Sequence, residues 1–289
     1  YTELQLKVAT MIIIKRTQTI KDFISEFHLG GKKIGFVPTM GALHDGHISL
    51  IKKSKSQNSL TICSIYVNPT QFNNVIDLNK YPVTLESDID KLEMAACDVL
   101  FLPSTDEMYL NDEVNEHYDL GMLEHILEGK YRPGHFQGVC TIVDKLLKAI
   151  KPNTLYLGKK DYQQCMVINK MISDKKYEVR LEICNTIREP LGLAMSSRNL
   201  RLNEVERIDA LKIIEILINI KKYIKPGNLE EIKIKATKYL TKNGYKVDYT
   251  EIADAATLEI VSNWDGKVKL VALVAAYLNN VRLIDNMIL

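Results

Sequence analysis

Apolar residues between positions 11 and 183 fall into short runs whose spacing alternates between two periods. Ile34, Gly35, Phe36 and Val37 form a continuous run rich in β-branched and aromatic side chains, the pattern of a buried strand. Pro38 ends it, because proline donates nothing to a ladder. From about Asp45 the segment takes helical spacing, with Ile48 and Ile51 on one side and Lys52, Lys53 and Lys55 on the other. The alternation predicts strands over 11–14, 60–67, 98–102, 154–157 and 179–183. Helices are predicted over 20–27, from Thr84 to about 96, over 137–150 with Pro152 as its stop, and over 161–172. Strands separated by amphipathic helices imply a doubly wound α/β fold, a parallel sheet with helices on both faces.

The pattern changes around residues 186–193, a loop carrying Arg188-Glu189-Pro190 and Gly192. Two helices follow, over 204–223 and 229–242, split by Pro226-Gly227, and then strands over 246–253, 268–276 and 281–285. Residues 1–186 are therefore expected to form the larger domain, and 187–289 a smaller C-terminal α+β domain hinged near 186–190. The chain opens on Tyr1 while Met11 starts a strand, so residues 1–10 are expected to be a remnant foreign to the fold. The segment 107–134 is irregular and is expected to line a site.

Composition narrows the function classes. With 46% hydrophobic and 26% charged residues in 289, the chain has an ordinary globular balance and enough length for a sizeable core. Lys+Arg 38 against Asp+Glu 36 leaves a net charge of +2, which is no electrostatic footprint for DNA or tRNA. No apolar run reaches membrane-spanning length. Five widely spaced cysteines, without a C-x-x-C pair, read as core thiols of a cytoplasmic protein.

The candidate chemistry sits where predicted strands end. After the strand at 34–37, Gly41 and Gly46 let the backbone turn sharply, and the following helix start offers free N–H groups to an anion. His44 and His47 stand at that mouth in the spacing H-x-G-H. Asn68-Pro69-Thr70-Gln71-Phe72 ends the next strand, and Gln71 carries both a donor and an acceptor. Arg132 and His135 flank a Pro-Gly corner before a helix, and a guanidinium there suits a carboxylate or phosphate. Gly158-Lys159-Lys160-Asp161 again joins a strand to a helix, with Gln164 on the same helical face as Asp161. Met195-Ser196-Ser197-Arg198 combines two hydroxyls with a guanidinium in a loop. Asp88 is a candidate Mg²⁺ ligand or, alternatively, a helix-start carboxylate favoured by the dipole. Taken alone, each segment is equally a structural turn with solvated charges. His28, His117 and His125 show no partner pattern and are assigned to the surface.

H-x-G-H in this context resembles the signature of the nucleotidylyl-transferase superfamily, and the Met195–Arg198 loop resembles its second, KMSKS-type signature. PTMGALHDGH, YVNPTQF, EGKYRPGHFQG, LYLGKKDYQQ, MSSRN and VRLIDN together resemble the pantoate–β-alanine ligase family from about residue 34 to 285. That resemblance implies a Rossmann-like sheet and a two-step reaction. ATP and pantoate would give a bound pantoyl adenylate and pyrophosphate, and β-alanine would then displace AMP. It also implies an ATP site made of Met40, Gly41, Ala42, Leu43, His44, Asp45, Gly46 and His47. Gly158, Lys159, Lys160, Asp161, the backbone at Ile187, and Met195, Ser196, Ser197 and Arg198 complete it. Lys160 and Arg198 would clamp phosphates beside the catalytic His44 and His47, with Asp161 on the ribose. Gln71 and Gln164 would fix pantoate, with Arg132 and His135 near the carboxylate substrates. The family attaches a proton-donor role to His47, although charge stabilisation of the leaving pyrophosphate accounts for a histidine there equally well. ATP as substrate, Mg²⁺, a homodimer, and no nucleic-acid or membrane partner complete the expectation. The loop at 72–77 departs from the more polar, acidic stretch of relatives. Two rival readings are a different adenylyl transferase, making a dinucleotide or a CDP-activated head group, and a non-catalytic nucleotide- or RNA-binding module.

Overall fold

The computed structural model describes residues 11–28, 30–109 and 116–289. Its main sheet contains β1 (Ile12–Ile14), β2 (Ile34–Thr39), β3 (Leu60–Ile65), β4 (Val99–Phe101), β5 (Thr154–Gly158) and β6 (Arg180–Cys184). They lie in the order β1-β4-β3-β2-β5-β6, and every neighbouring pair is parallel. β3 and nearly all of β2 are buried, which is why neither shows a regular apolar–polar alternation. Ile34 and Phe36 face a core with the helices Thr17–His28, His135–Ile150 and Tyr162–Asp174. Val37 and Cys63 face the helices Asp45–Gln57 and Leu85–Met94 on the other side. From β2 the chain runs through β3 and β4 in one direction, and through β5 and β6 in the other. The crevice at the carboxyl ends of β2 and β5 is thus the topological switch point, where open α/β sheets bind ligands.

Residues 245–289 form a three-stranded antiparallel sheet, with Leu270–Leu278 between Tyr245–Asp254 and Val281–Ile288. One face packs on the helices Leu211–Tyr223 and Glu230–Lys242. The other, through Tyr249, Val271, Leu273 and Ala275, meets Leu127 and the partly buried Tyr162 and Met166. This contact brings the last strand to the mouth of the main sheet. That strand runs to Ile288, three residues past the expected end at 285. The expected helix over 204–223 is interrupted into Glu204–Asp209 and Leu211–Tyr223. Cys63, Cys97, Cys140 and Cys165 are buried free thiols, and Cys184 is half-buried. His117 and His125 are exposed, whereas the His28 side chain lies outside the described residues.

Candidate active site

Past β2 the chain turns through Gly41 (φ 82°) and Ala42 (φ 49°) before His44 caps the helix Asp45–Gln57. The two histidines form a reciprocal cap. His44 Nδ1 accepts from Gly46 N at 3.1 Å, and His47 Nδ1 accepts from His44 N at 3.3 Å. Their rings lie with centroids 4.0 Å apart. Burial and the nearby Lys160 lower the His44 pKa to about 4. Burial, His44 and Lys160 hold His47 well below the usual imidazole range. Both rings are therefore neutral at pH 7, and an accepting Nδ1 places the proton on Nε2. Neither Nε2 has a partner among the described residues, so the turn presents two N–H donors to the crevice.

Asp88, which the sequence offers as a Mg²⁺ ligand or a helix-start carboxylate, is turned away from the crevice. Its carboxylate is 1% exposed and accepts from Ala42 N at 2.8 Å and Leu43 N at 2.7 Å, with Thr84 Oγ1 at 3.1 Å. Both oxygens are engaged behind the turn, and Asp88 does not line the cavity where the phosphates would lie. The helix-start alternative describes its placement better. Among the described residues, no three His, Cys, Asp or Glu side chains cluster as a metal site.

The Asn68–Phe72 turn is held from several sides. Asn68, 1% exposed, donates to Gly138 O at 3.0 Å and to Gln71 Oε1 at 3.3 Å, and accepts from Tyr109 Oη at 2.7 Å. A Cβ on Gly138 would lie 2.4 Å from Thr70 O, so only glycine lets the helix His135–Ile150 meet this turn. Gln71 reaches Met40 Sδ at 2.7 Å, and its carbonyl accepts from His135 Nδ1 at 2.8 Å. Burial and the adjacent Arg132 lower the His135 pKa to about 3. A neutral His135 that donates through Nδ1 keeps Nε2 as an acceptor, which suits a hydroxyl and not a carboxylate. That differs from the expectation of a carboxylate neighbour.

Among the described residues Arg132 makes only long bonds, to Glu128 at 3.4 Å and Gln71 O at 3.5 Å, so its fork retains donors for a ligand. Glu128 is instead committed to Arg282, with two bonds of 2.8 Å, and to Tyr249 Oη at 2.8 Å. Burial would raise the Glu128 pKa, but the bonds and charge of Arg282 outweigh it and hold it at about 2.

At the β5 turn, Lys160 is half-buried with its Nζ 4.0 Å from Asp161. The backbone of this turn is steadied from the C-terminal sheet. Asn286 Nδ2 donates to Lys159 O at 3.0 Å and Lys160 O at 2.8 Å, while the neighbouring Asp285 takes Arg188 at 2.6 and 3.1 Å. Ser197 Oγ donates to Ala42 O at 3.1 Å, which ties the Met195–Arg198 loop to the H-x-G-H turn. Arg198 Nη2 pairs with Asp77 at 2.7 Å and its guanidinium lies 5.8 Å from the Tyr81 ring centroid. Arg201 takes the other Asp77 oxygen at 2.8 Å. The divergent 72–77 loop thus ends in a short helix, Val75–Asn79, that offers a carboxylate to two arginines.

One cavity of about 240 Å³ is lined by Met40, His44, Gly46, His47, Gln71, Arg132, His135, Gly158, Lys160, Asp161, Gln164, Ile187 and Met195–Arg198. A second, of about 570 Å³, shares Lys160, Asp161, Ser196 and Arg198 with it and continues past Arg201. Gln164 faces the first with its amide unengaged by any described residue. The Ile187 N–H is likewise without a partner, its carbonyl accepting from Met195 N at 3.0 Å. Five expected ATP-site residues do not line it. Gly41, Ala42 and Leu43 are buried in the turn, Asp45 is exposed, and Lys159 Nζ reaches Asn185 at 2.7 Å. Sequence reasoning missed Asn68, Tyr81, Glu128, Asp285 and Asn286. All but Tyr81 stand in motifs quoted above, Asn68 in YVNPTQF, Glu128 in EGKYRPGHFQG and the last two in VRLIDN, but no role attached to them there.

Histidine donors, a lysine and an arginine, meeting amides at the switch point of a doubly wound sheet, define a nucleotide-binding α/β protein of the H-x-G-H class. The particular family follows from comparison with known proteins. The pantoate-beta-alanine ligase family matches residues 12–288. The pantothenate synthetase of Cytophaga hutchinsonii is 42% identical over 285 residues, covering 96% of this chain and 99% of that protein. That of Pseudothermotoga lettingae is 43% identical over 282 residues, covering 96% and 99%. Among solved structures, the pantothenate synthetase of Thermus thermophilus superposes with a TM-score of 0.88 at 33% identity, covering 96% of this chain and 99% of that one. The Francisella tularensis pantoate-beta-alanine ligase, complexed with beta-gamma ATP and beta-alanine, gives 0.81 at 41% identity, covering 96% and 97%. This chain belongs to the pantoate–β-alanine ligase family. No described helix is long and apolar enough to cross a membrane.

Proposed function

We propose that the chain condenses pantoate with β-alanine at the expense of ATP, giving pantothenate, AMP and pyrophosphate. What supports this most is the meeting, in one cavity, of outward imidazole N–H donors, Lys160 and Arg198 with the amides of Gln71 and Gln164. In the first step a pantoate carboxylate oxygen bonds to the α-phosphorus, and the bond to the β-phosphate oxygen breaks with its electron pair. Negative charge grows on the oxygens of the departing pyrophosphate. Lys160 and the two Nε2–H groups are donors already in place for it, so they stabilise the transition state without reorganising, and Arg198 joins them once Asp77 releases it. A neutral imidazole that gave up its Nε2 proton would become an anion. His44 and His47 therefore act as hydrogen-bond donors, with no proton transfer from His47. Asp161 is assigned to the ribose and the Ile187 N–H to the base.

Gln71 and Gln164 hold pantoate through its hydroxyls, with His135 Nε2 as a further acceptor and Arg132 toward the carboxylates. In the second step the β-alanine amine attacks the acyl carbon of the adenylate, AMP leaves, and the nitrogen loses its proton. Excluding water from the anhydride keeps it for the amine. With Asp88 committed to the turn, any Mg²⁺ is carried by the nucleotide's phosphates, and no step is assigned to it. A cytoplasmic homodimer completes the proposal, by analogy with the family.

The test is AMP release measured with each substrate omitted in turn, and it should require both pantoate and β-alanine. His47→Ala should lower adenylate formation by about 10²–10³. Pyrophosphate release with another acceptor in place of pantoate would indicate a different adenylyl transferase, and ATP binding without turnover a binding module.

A further inference from the structure

The strand-to-helix turn that carries both histidines contains a strained residue. Ala42 sits at φ 49°, a left-handed conformation that is unfavourable for a non-glycine residue and persists only when its surroundings impose it. The surroundings come from the helix Leu85–Met94, more than forty residues away in the chain. Asp88 spans the N–H groups of Ala42 and Leu43 with its two oxygens. One turn further along the same helix, Lys91 Nζ donates to Leu43 O at 2.7 Å. Thr84 Oγ1 anchors Asp88 from the helix start at 3.1 Å. Asp88 Oδ2 also lies 3.1 Å from where a Gly41 Cβ would be, so the glycine allows the carboxylate to close on the turn. The backbone from 41 to 43 is gripped by both its donors and an acceptor. The chain then enters the His44 cap, whose geometry aims both rings.

We infer that Asp88, supported by Lys91, is a positioning residue. It imposes the left-handed Ala42 and thereby orients the His44 and His47 rings toward the crevice, acting on the reaction through the turn and not through a bound cation. The inference rests on the proposed role of the histidines as phosphate-facing donors. It assigns the helix Leu85–Met94 to the machinery of the site although Asp88 does not line the cavity. Asn is the informative replacement at Asp88, because it keeps the shape but must turn an NH₂ toward one of the two backbone N–H groups.

The test uses the full-length protein. Adenylate formation is measured in single turnover across a Mg²⁺ titration, together with the imidazole ¹⁵N shifts of His44 and His47. Asp88→Asn should slow adenylate formation by roughly 10- to 100-fold, the loss expected when reacting groups are misplaced by an ångström or so. The slowing should persist at every Mg²⁺ concentration. The ¹⁵N pattern should move from a fixed Nε2–H tautomer toward averaging. Lys91→Met, which removes one bond and leaves the carboxylate, should shift both readouts in the same direction by less, and it carries the test if Asp88→Asn does not fold. Recovery of Asp88→Asn by added Mg²⁺ would overturn the inference in favour of a metal ligand. Unmoved ring signals in both variants would overturn it outright. If the rings moved while adenylate formation held, positioning would stand and the proposed histidine role would fall.

Discussion

Asp77 is a carboxylate held by two arginines at the edge of a phosphate site, so replacing it should improve nucleotide binding. Asp77 Oδ2 lies 2.7 Å from Arg198 and Oδ1 lies 2.8 Å from Arg201, with Asp77 and Arg198 side chains 28% and 24% exposed. Burial would raise the Asp77 pKa, but the two guanidinium groups outweigh it and hold the carboxyl below its ordinary value. A triphosphate that recruits Arg198 must first displace this carboxylate. A charge-assisted bond contributes about 1.5–3 kcal/mol when sheltered. Discounted for partial exposure and for what Arg201 retains, about 1 kcal/mol remains as the cost of release. At roughly 1.4 kcal/mol per decade, Asp77→Asn should lower the ATP KM about threefold to tenfold. Steady-state kinetics at saturating pantoate and β-alanine would measure it, with pyrophosphate inhibition as a second readout that should strengthen in parallel. An unchanged or higher KM, with the fold intact by circular dichroism, would show that Asp77 organises Arg198 for the nucleotide instead of competing with it.

Four further outcomes are expected. Arg282→Met leaves the buried Glu128 with Tyr249 and the long Arg132 contact, removes Asp248's partner too, and should destabilise the protein by about 3 kcal/mol in chemical denaturation, and a loss under 1 kcal/mol would contradict the network described. Glu128, with its pKa near 2 against an ordinary 4.5, contributes stability above about pH 4.5 that is lost as pH falls toward 2, and Arg282→Met should flatten that acid limb. Proton NMR of the unliganded protein should show His44 titrating near pH 4 and His47 well below the ordinary imidazole value. Their neutral forms then contribute stability that declines as pH falls below about 6.5, and a His44 midpoint near 6.5 would refute the buried reciprocal cap. Asn286→Leu removes both donors to the Lys159 and Lys160 carbonyls and should slow adenylate formation about tenfold with little change in pantoate KM, whereas a purely structural contact would lower the melting temperature alone.

Hydrophobic periodicity alone specified the order and kind of the main-sheet strands and of the longer helices between them. The runs at 34–37, 60–67 and 154–157 had no polar face to offer water, so they were bound to be interior strands, and intervening helices made them parallel. Local spacing likewise marked H-x-G-H, GKKD and MSSRN as strand-end segments, because glycine turns and helix starts are properties of a few consecutive residues. Long-range pairing was not legible in that way. Asp88 reads from sequence as a cation ligand or a helix-start carboxylate, and only the fold places its oxygens on amides 45 and 46 positions distant in sequence. Asn286 reaches carbonyls 126 and 127 positions back. The neutrality of His44 and His47 depends on burial and on Lys160, neither of which adjacent residues determine. Sequence by itself decided which segments end at the rim of the sheet, since periodicity and turn chemistry act over a few residues. Tertiary structure decided which groups there stay free for a ligand and which are consumed holding the site together, since hydrogen bonds and desolvation are set by whatever the fold brings alongside.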